Sequence, residues 1–145
     1  MLPDPPSSSG LLHAEITKEI IGVFYEVYTG LGFGFLESIY ARGVELRLKR
    51  RGLQVDREVA MKVVLDDDEL GLFRCDMVIE RKVIIEIKGS ERLSDVSRRQ
   101  LRNYLKAMNL ELGMLLHFGP KASFYRILGP QGELSGAAED QAQSG

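Results

Sequence analysis

The sequence contains one cysteine, two histidines and no tryptophan among its 145 residues. The single cysteine, Cys75, excludes an intrachain disulfide and a cysteine-based zinc site, and it is typical of proteins in a reducing cytoplasm. His13 and His117 lie far apart in the chain and lack the spacing of metal ligands. We therefore expect both histidines to be structural or surface residues.

The sequence also lacks a long apolar run and an excess of positive charge. No run reaches the ~18–20 apolar residues that a membrane-spanning helix requires, and the N-terminus shows no signal-peptide pattern. We therefore expect a cytoplasmic protein without a membrane partner. The formal net charge is −2, so any nucleic-acid binding would depend on a local basic patch.

Two predicted helices carry basic residues that are candidates for such a patch. Solvated helix faces explain the same residues equally well. The residues are Arg47, Lys49, Arg50 and Arg51 on one helix and Arg98, Arg99, Arg102 and Lys106 on the other.

The length and composition predict one globular domain. A hydrophobic content of 44% with 28% charged residues is ordinary for such a domain. Residues 1–10, rich in proline and serine, predict a disordered lead-in, and residues 129–145 predict a flexible tail with little to bury. The domain is expected to span residues 11–128.

Periodicity of the apolar residues predicts the order α-α-β-β-β-α-β-β. Apolar residues at helical spacing predict helices, and alternating or short continuous apolar runs predict strands. The predicted helices are 11–29, 35–51 and 93–109, and the predicted strands are 53–65, 70–79, Val83–Lys88, Leu112–Phe118 and 123–128. The strand after the third helix is expected to lie parallel to an earlier strand. The fold class is therefore α/β, with a mixed central sheet flanked by helices.

Three alternating glycines, Gly30, Gly32 and Gly34, separate the first two predicted helices. A glycine-rich loop can bind phosphate, but no strand precedes these residues and no Gly-Lys-Ser/Thr follows them. A tight corner between the two helices, in which glycine adopts positive φ, is the favoured interpretation.

Two apolar β-rich runs, 75–79 and Val83–Lys88, flank the polar residues 80–82 and predict a β-hairpin. Glu86 and Lys88 interrupt the second run, which otherwise has the pattern of a buried strand. Both side chains point to the same face, because side chains alternate between faces along a strand.

The hairpin register brings two carboxylates together. If Ile79 faces Val83, then Asp76 lies opposite Glu86, with Cβ atoms about 4.5–5.5 Å apart. Carboxylates this close repel each other unless a proton or a cation lies between them, and Mg²⁺ is the natural occupant. Lys88, on the same face, could then orient a water molecule or balance the charge of a phosphate.

An ion-pair network is the alternative explanation of these residues. In that case Lys88 neutralises Asp76 and Glu86, because buried charges usually pair. Arg74 lies two residues before Asp76 on the same face. It could bind a substrate phosphate or pair with one of the carboxylates.

The arrangement of Asp76 and Glu86-Ile87-Lys88 on a hairpin resembles the PD-(D/E)XK nuclease superfamily. It is most similar to a small family within it, the GxxExxY proteins, and the resemblance covers residues 16–128. Members of that family often have glycine in the turn where this chain has residues 80–82. The other residues that carry the resemblance are, in the family's order, Gly34, Glu37, Tyr40, Gln100 and Tyr104.

The resemblance implies a restriction-endonuclease-like core and a metal site. Asp76, Glu86 and the carbonyl of Ile87 would hold Mg²⁺ or Mn²⁺, and Glu37 would complete the ligand set. Lys88 would be the catalytic lysine. Without the resemblance, a favourable interaction with the helix dipole would explain a glutamate in the first turn, such as Glu37.

The resemblance also implies further site residues. Gln100 would be catalytic, with Tyr104 beside it, and the two would support Lys88 or touch the substrate backbone. Tyr40 would join Tyr104 and Arg74 in binding the substrate. The alternative places Gln100 at a solvated border and Tyr104 at the edge of the core.

The implied activity is Mg²⁺-assisted hydrolysis of a DNA phosphodiester, with a homo-oligomer supplying binding surface that so small a chain lacks. The competing hypothesis is a binding or self-assembly module that kept the fold without turnover. An RNA-binding domain has little support, since no aromatic stacking motif of the RRM type is present.

Overall fold

Four helices and six strands make up the part of the chain that the computed structural model describes, residues 12–134 and 141–144. The predicted order α-α-β-β-β-α-β-β is confirmed through the fifth strand. None of the described helices is long and apolar enough to cross a membrane. The elements are α1 (Ala14–Leu31), α2 (Glu37–Arg50), β1 (Val55–Leu65), β2 (Asp68–Ile79), β3 (Val83–Lys88), α3 (Asp95–Met108), β4 (Leu112–Phe118), β5 (Ala122–Leu128), α4 (Pro130–Leu134) and β6 (Gln141–Ser144).

The strands form one mixed sheet in the order β1-β2-β3-β4-β5-β6. β3 and β4 are parallel and are connected through α3, as predicted, and all other neighbours are antiparallel. All seven residues of β4 are buried, which explains why its sequence is a continuous apolar run broken only by glycine and histidine. The mixed sheet flanked by helices confirms the predicted fold class.

Helices cover both faces of the sheet. Ile20 and Phe24 of α1 and Tyr40 of α2 are buried in a core against one face. Leu101 and Leu105 of α3 are buried in a second core against the other face. Ser94 caps α3 by accepting a hydrogen bond from the backbone N–H of Val96, at 3.1 Å.

The outer half of the β1–β2 hairpin projects beyond the sheet. β2 pairs with β3 only at residues 77–79, so its first half has β1 as its only partner strand. The alternating pattern of β1 predicted one buried face along its whole length, and this is wrong for the outer half. Val63, Leu65 and Leu72 are 40%, 63% and 65% exposed. An alternating apolar pattern indicates which side chains share one face of a sheet, but it does not indicate whether a helix covers that face.

The C-terminal segment also differs from the sequence-based prediction. The flexible tail expected over residues 129–145 contains α4 and β6. β6 pairs with β5 at residues 123–126, so the strand predicted to be the sheet edge has a neighbour on both sides. The predicted lead-in, residues 1–10, lies outside the described residues.

The turn between β2 and β3 is tight, and its residues adopt backbone angles that disfavour side chains. Ile79 pairs with Val83, which confirms the predicted register. The N–H of Lys82 donates to the carbonyl of Ile79 at 2.9 Å, while Glu80 and Arg81 have φ of 52° and 55°. Two consecutive positive φ angles are typical of a type I′ turn, for which glycine is favoured.

We therefore expect Arg81→Gly to stabilise the protein. A residue with a Cβ pays a steric penalty at positive φ that glycine avoids, so the free energy of unfolding should rise by about 0.5–1 kcal/mol. Urea denaturation followed by circular dichroism measures this change. Lys82→Gly is the matched control, since Lys82 lacks a positive φ and glycine there should destabilise. Equal destabilisation by both changes would contradict the explanation.

Candidate active site

Strands β2 and β3 separate where the two predicted carboxylates lie. Their pairing ends at Met77 and Ile85. Beyond this point, the N–H of Asp76 donates to Oε1 of Glu86 at 3.0 Å, and the N–H of Ile87 donates to Oδ2 of Asp76 at 2.6 Å. These reciprocal bonds replace the strand pairing and fix both carboxylates at the point where the strands diverge.

Burial makes this pair electrostatically unfavourable. The Glu86 residue is 8% exposed. Desolvation, followed by the charge of Asp76, raises the pKa of Glu86 to about 8. Desolvation also raises the pKa of Asp76, although the N–H of Ile87 and the charge of Lys88 act in the opposite direction. At neutral pH the Glu86 carboxyl therefore tends to be protonated.

Lys88 does not neutralise the carboxylates by direct contact. It is half-buried at the end of β3. Within the described part of the chain, it forms no ion pair with Asp76 or Glu86 within 4.0 Å, and its charge lowers their pKa values only at longer range. The ion-pair network considered from the sequence is therefore not formed in this structure.

Glu37 lies at the border of this site. It is the first residue of α2, and its Oε2 accepts a hydrogen bond from the N–H of Gly89 at 2.9 Å. Gly89 directly follows Lys88, and the charge of Glu37 acts to raise the pKa values of both Asp76 and Glu86. The structure thus brings the predicted third acidic group close to the pair, although Glu37 is exposed.

Tyr40 has a different position from the one its predicted role requires. It is 0% exposed, and its ring stacks on Phe118 with centroids 4.2 Å apart. Its hydroxyl donates to the carbonyl of Gly32 at 2.5 Å and accepts from the N–H of Phe35 at 3.1 Å. A substrate cannot reach this side chain in the structure, and what Tyr40 does is hold the α1–α2 loop.

The remaining predicted residues differ in how close they lie to the carboxylates. Tyr104 stacks on Phe73 with centroids 4.1 Å apart, and burial and the charge of Glu86 raise its pKa. Tyr104 therefore borders the site from α3. Gln100 and Arg74 are exposed, and neither side chain has a hydrogen bond or ion pair to another described residue.

Sequence reasoning missed an arginine and a glutamate that support Asp76. Nε of Arg57 donates to the carbonyl of Asp76 at 3.1 Å, and its Nη1 donates to Oε1 of Glu45 at 3.0 Å. Glu45 is 6% exposed and also binds Arg42 and Lys49. The spacing of Glu45 and Lys49 signals a helical ion pair, but the role of Arg57 requires the β1–β2 register.

The backbone opposite Asp76 is irregular. Glu58 lies opposite Asp76 in the register without pairing, and its φ is 50°. Cys75 and Val78 pack in the core under α3, whereas Met77 packs in the core under α1 and α2, so the alternation of faces breaks at Asp76. Backbone strain of this kind is concentrated at functional sites.

The donor set fits a hydrated divalent cation. Among residues 12–134 and 141–144, no group of three or more His, Cys, Asp or Glu side chains is arranged to hold a metal ion. Mg²⁺, however, is commonly bound through one or two carboxylates and keeps several waters. Asp76 and Glu86 provide two buried carboxylates whose repulsion a cation would relieve, and the carbonyl of Ile87 is adjacent in sequence. The chemistry of these donors therefore suits Mg²⁺ or Mn²⁺.

The basic residues at the end of α2 are largely neutralised. Arg51 binds both Glu19 and Glu26, and Arg47 lies 3.8 Å from Glu26. On α3, the Arg98 guanidinium lies 4.2 Å from the centroid of the Tyr125 ring. For α2, the structure therefore favours a solvated helix face with ion-paired basic residues over a basic patch that binds nucleic acid.

Comparisons with known proteins agree with the fold. The sequence model of the PD-(D/E)XK nuclease superfamily matches residues 14–127. No curated protein matches the chain significantly. Among solved structures, the crystal structure of SSO0001 is similar, with a TM-score of 0.54 and 23% sequence identity. The match covers 85% of this chain and 62% of that one, and at this identity it shows the fold alone.

We expect Glu45→Gln to lower the free energy of unfolding by about 1–3 kcal/mol, because Arg57 would lose the charge it is buried against. Hydrogen bonds from Lys49 above all lower the pKa of Glu45 from 4.5 to about 2. The contribution of Glu45 is therefore complete above pH 4.5 and is lost as the pH falls toward 2. Urea denaturation at several pH values measures it.

Glu69→Gln is the matched control for this prediction. Glu69 pairs with Lys62, and both side chains are 62% exposed. Exposed ion pairs contribute little, so no measurable change in stability is expected. If the Glu45→Gln variant were as stable as the wild type at pH 7, the ion pair between Glu45 and Arg57 would not stabilise the protein. The explanation that Glu45 supports Asp76 through Arg57 would then be contradicted.

We expect Glu86→Gln to stabilise the metal-free protein at alkaline pH. Because the pKa of Glu86 rises from 4.5 to about 8 on folding, the folded state holds a proton that the unfolded state loses. Stability then falls as the pH rises through this window, and glutamine removes that fall. Urea denaturation in EDTA at pH 5 and pH 8 tests it, with the exposed Glu91→Gln as control. Identical pH dependence in wild type and variant would contradict it.

Proposed function

The chain belongs to the PD-(D/E)XK nuclease superfamily, and on that premise we propose that it hydrolyses DNA phosphodiester bonds with the help of Mg²⁺ or Mn²⁺. One observation carries the proposal. Asp76 and Glu86 are fixed together where β2 and β3 separate, Glu86 buried and Asp76 half-buried, and no cationic side chain of a described residue lies within 4.0 Å of either carboxylate. A purely structural role gives no reason to hold two carboxylates in this way.

Each site residue has a role in this proposal. Asp76, Glu86 and the carbonyl of Ile87 would hold the metal ion, with Glu37 beside them. When bound, a divalent cation polarises the phosphate and lowers the pKa of a coordinated water. Lys88 would stabilise the negative charge that develops on the phosphate and help to place the attacking water.

We also propose that the chain is a GxxExxY protein. The roles of the site residues on α2 and α3 depend on this assignment. The contact between Glu37 and the N–H of Gly89 supports a role for the motif glutamate at this site. Tyr104 borders the carboxylates. Gln100 lies one helical turn before Tyr104 and would reach Lys88 or the substrate backbone. Arg74 would contact a substrate phosphate.

The proposal also covers partners and location. DNA is the substrate, and a homo-oligomer, a dimer or larger, would extend the surface that a single 145-residue chain offers to it. The only cysteine is free and buried, which supports a reducing cytoplasm as the location.

The second candidate is a binding or self-assembly module without turnover. Two observations favour it. One oxygen each of Asp76, Glu86 and Glu37 is already bound by a backbone N–H. In addition, no three His, Cys, Asp or Glu side chains of the described residues are arranged to hold a metal ion together. In this case the polar contacts would only hold the strands and the α1–α2 loop together.

Metal titration separates the two candidates. Isothermal titration with Mg²⁺ and Mn²⁺ should give binding for the wild type and none for Asp76→Asn, which loses a ligand charge. Incubation with plasmid and single-stranded DNA should give cleavage by the wild type only. Lys88→Met should retain metal binding and lose cleavage by a factor of about 100 or more, since it removes only charge stabilisation of the transition state.

The exposed Glu91→Gln is the matched control, and it should behave as the wild type. Cleavage that persists in the Asp76 variant would place the site elsewhere or indicate a contaminant. A folded wild type that binds neither metal would reject the nuclease and favour the module.

A further inference from the structure

The loop between α1 and α2 exposes large apolar side chains. Phe33, Phe35 and Leu36 are 46%, 49% and 74% exposed. We call these three residues the phenylalanine shelf. Leu31 and Ile39, on either side of it in sequence, are 37% and 45% exposed. Single exposed apolar residues are common, whereas several together mark a binding surface.

The loop is held in a fixed conformation in spite of this exposure. The hydroxyl of Tyr40 binds the backbone of Gly32 and of Phe35, on both sides of the first phenylalanine. Gly32 and Gly34 have φ of 71° and 115°, values that side chains rarely allow. The rings are therefore presented by a rigid support, which lowers the entropy cost of binding.

The shelf borders the candidate active site. Glu37, the residue after Leu36, binds the N–H of Gly89 at 2.9 Å. A Cβ placed on Gly89 would lie 3.7 Å from the carbonyl oxygen of Phe35. Gly89 directly follows Lys88 in the sequence. A nucleic-acid strand whose phosphate lies at Asp76 and Glu86 would therefore pass close to the shelf, because Gly89 is at most about 10 Å from Glu86 along an extended chain.

Electrostatics alone offers little affinity for DNA. The net charge is −2, and Arg47 and Arg51 at the C-terminal end of α2 are engaged by Glu19 and Glu26. Binding through phosphate contacts, which dominates on duplex DNA, would therefore be weak. Stacking on aromatic side chains is the other main source of affinity, and it requires bases that are not paired.

We infer that the phenylalanine shelf stacks an unpaired nucleobase beside the scissile phosphate, so that the substrate is single-stranded DNA or a single-stranded end or flap. This inference rests on the proposed function and names its substrate class. The face of a phenyl ring matches the face of any base, so the contact selects for strandedness and not for sequence. A second copy of this chain is the competing occupant of the shelf.

The test is DNA binding without metal, so that cleavage does not interfere. Fluorescence anisotropy in EDTA compares a labelled single-stranded 15-mer, the matching duplex, and the same 15-mer carrying abasic sites. Phe33→Ala/Phe35→Ala should weaken binding of the single strand by about 5- to 100-fold, the range expected for one stacked base. Binding of the duplex and of the abasic strand should change less than about twofold.

Two further variants separate stacking from apolar contact in general. Leu70→Ala/Leu72→Ala removes side chains that are 62% and 65% exposed on the projecting hairpin, and it should leave binding unchanged. Phe33→Trp/Phe35→Trp should retain or improve binding of the single strand, since tryptophan also stacks. Circular dichroism of each variant establishes that it is folded.

The possible results distinguish this inference from the proposed function. Single-strand binding that depends on the two phenylalanines, in a protein that cleaves nothing with Mg²⁺, would uphold the stacking of an unpaired base on the shelf and reject the nuclease. If the protein cleaved duplex DNA and the Phe33→Ala/Phe35→Ala change had no effect on single-strand binding, the nuclease would be upheld and the inference would be rejected. If sedimentation showed a wild-type dimer that the Phe33→Ala/Phe35→Ala change dissociates, the shelf would be an interface between copies and the inference would be overturned.

Discussion

The reciprocal hydrogen bonds between Asp76, Glu86 and Ile87 are the interaction on which the candidate site depends. They form where β2 and β3 stop pairing, so that backbone donors are available to side-chain oxygens. A continued strand pairing would use these donors internally, and the carboxylates would lose their fixed positions. Arg57 supports the same point from β1 through the carbonyl of Asp76. The site thus exists because the sheet is interrupted there.

This arrangement places unfavourable electrostatics in the protein interior. Desolvation raises the pKa values of both Asp76 and Glu86, the charge of Asp76 raises that of Glu86 further, and no cationic side chain of a described residue lies within 4.0 Å of either carboxylate. Groups held in such a state are common at sites that bind a charged ligand, because the ligand supplies what the protein lacks. The surrounding network has the opposite character: Glu45, with its pKa lowered by cationic partners, stabilises the fold beside the site.

The α1–α2 loop connects this site to the surface. Tyr40, buried against Phe118, holds the loop backbone through its hydroxyl. The same loop leads into Glu37, which contacts Gly89 beside Lys88, and it exposes the phenylalanine shelf. One buried tyrosine therefore fixes an acidic group and an apolar surface relative to the candidate site, which gives a physical reason for a tyrosine at this position.

The sequence by itself determined the order of elements through β5, the parallel β3–β4 pair, the Ile79–Val83 register and the proximity of Asp76 to Glu86. These features follow from local periodicity and turn length, which depend only on neighbouring residues. The tertiary structure alone decided that Lys88 stays out of contact with the carboxylates, that Arg57 supports Asp76, and that Tyr40 is buried. It also decided that the β1–β2 hairpin projects, and that α4 and β6 form in the expected tail. These depend on which surfaces far apart in the chain pack together, and apolar patterning does not encode that choice.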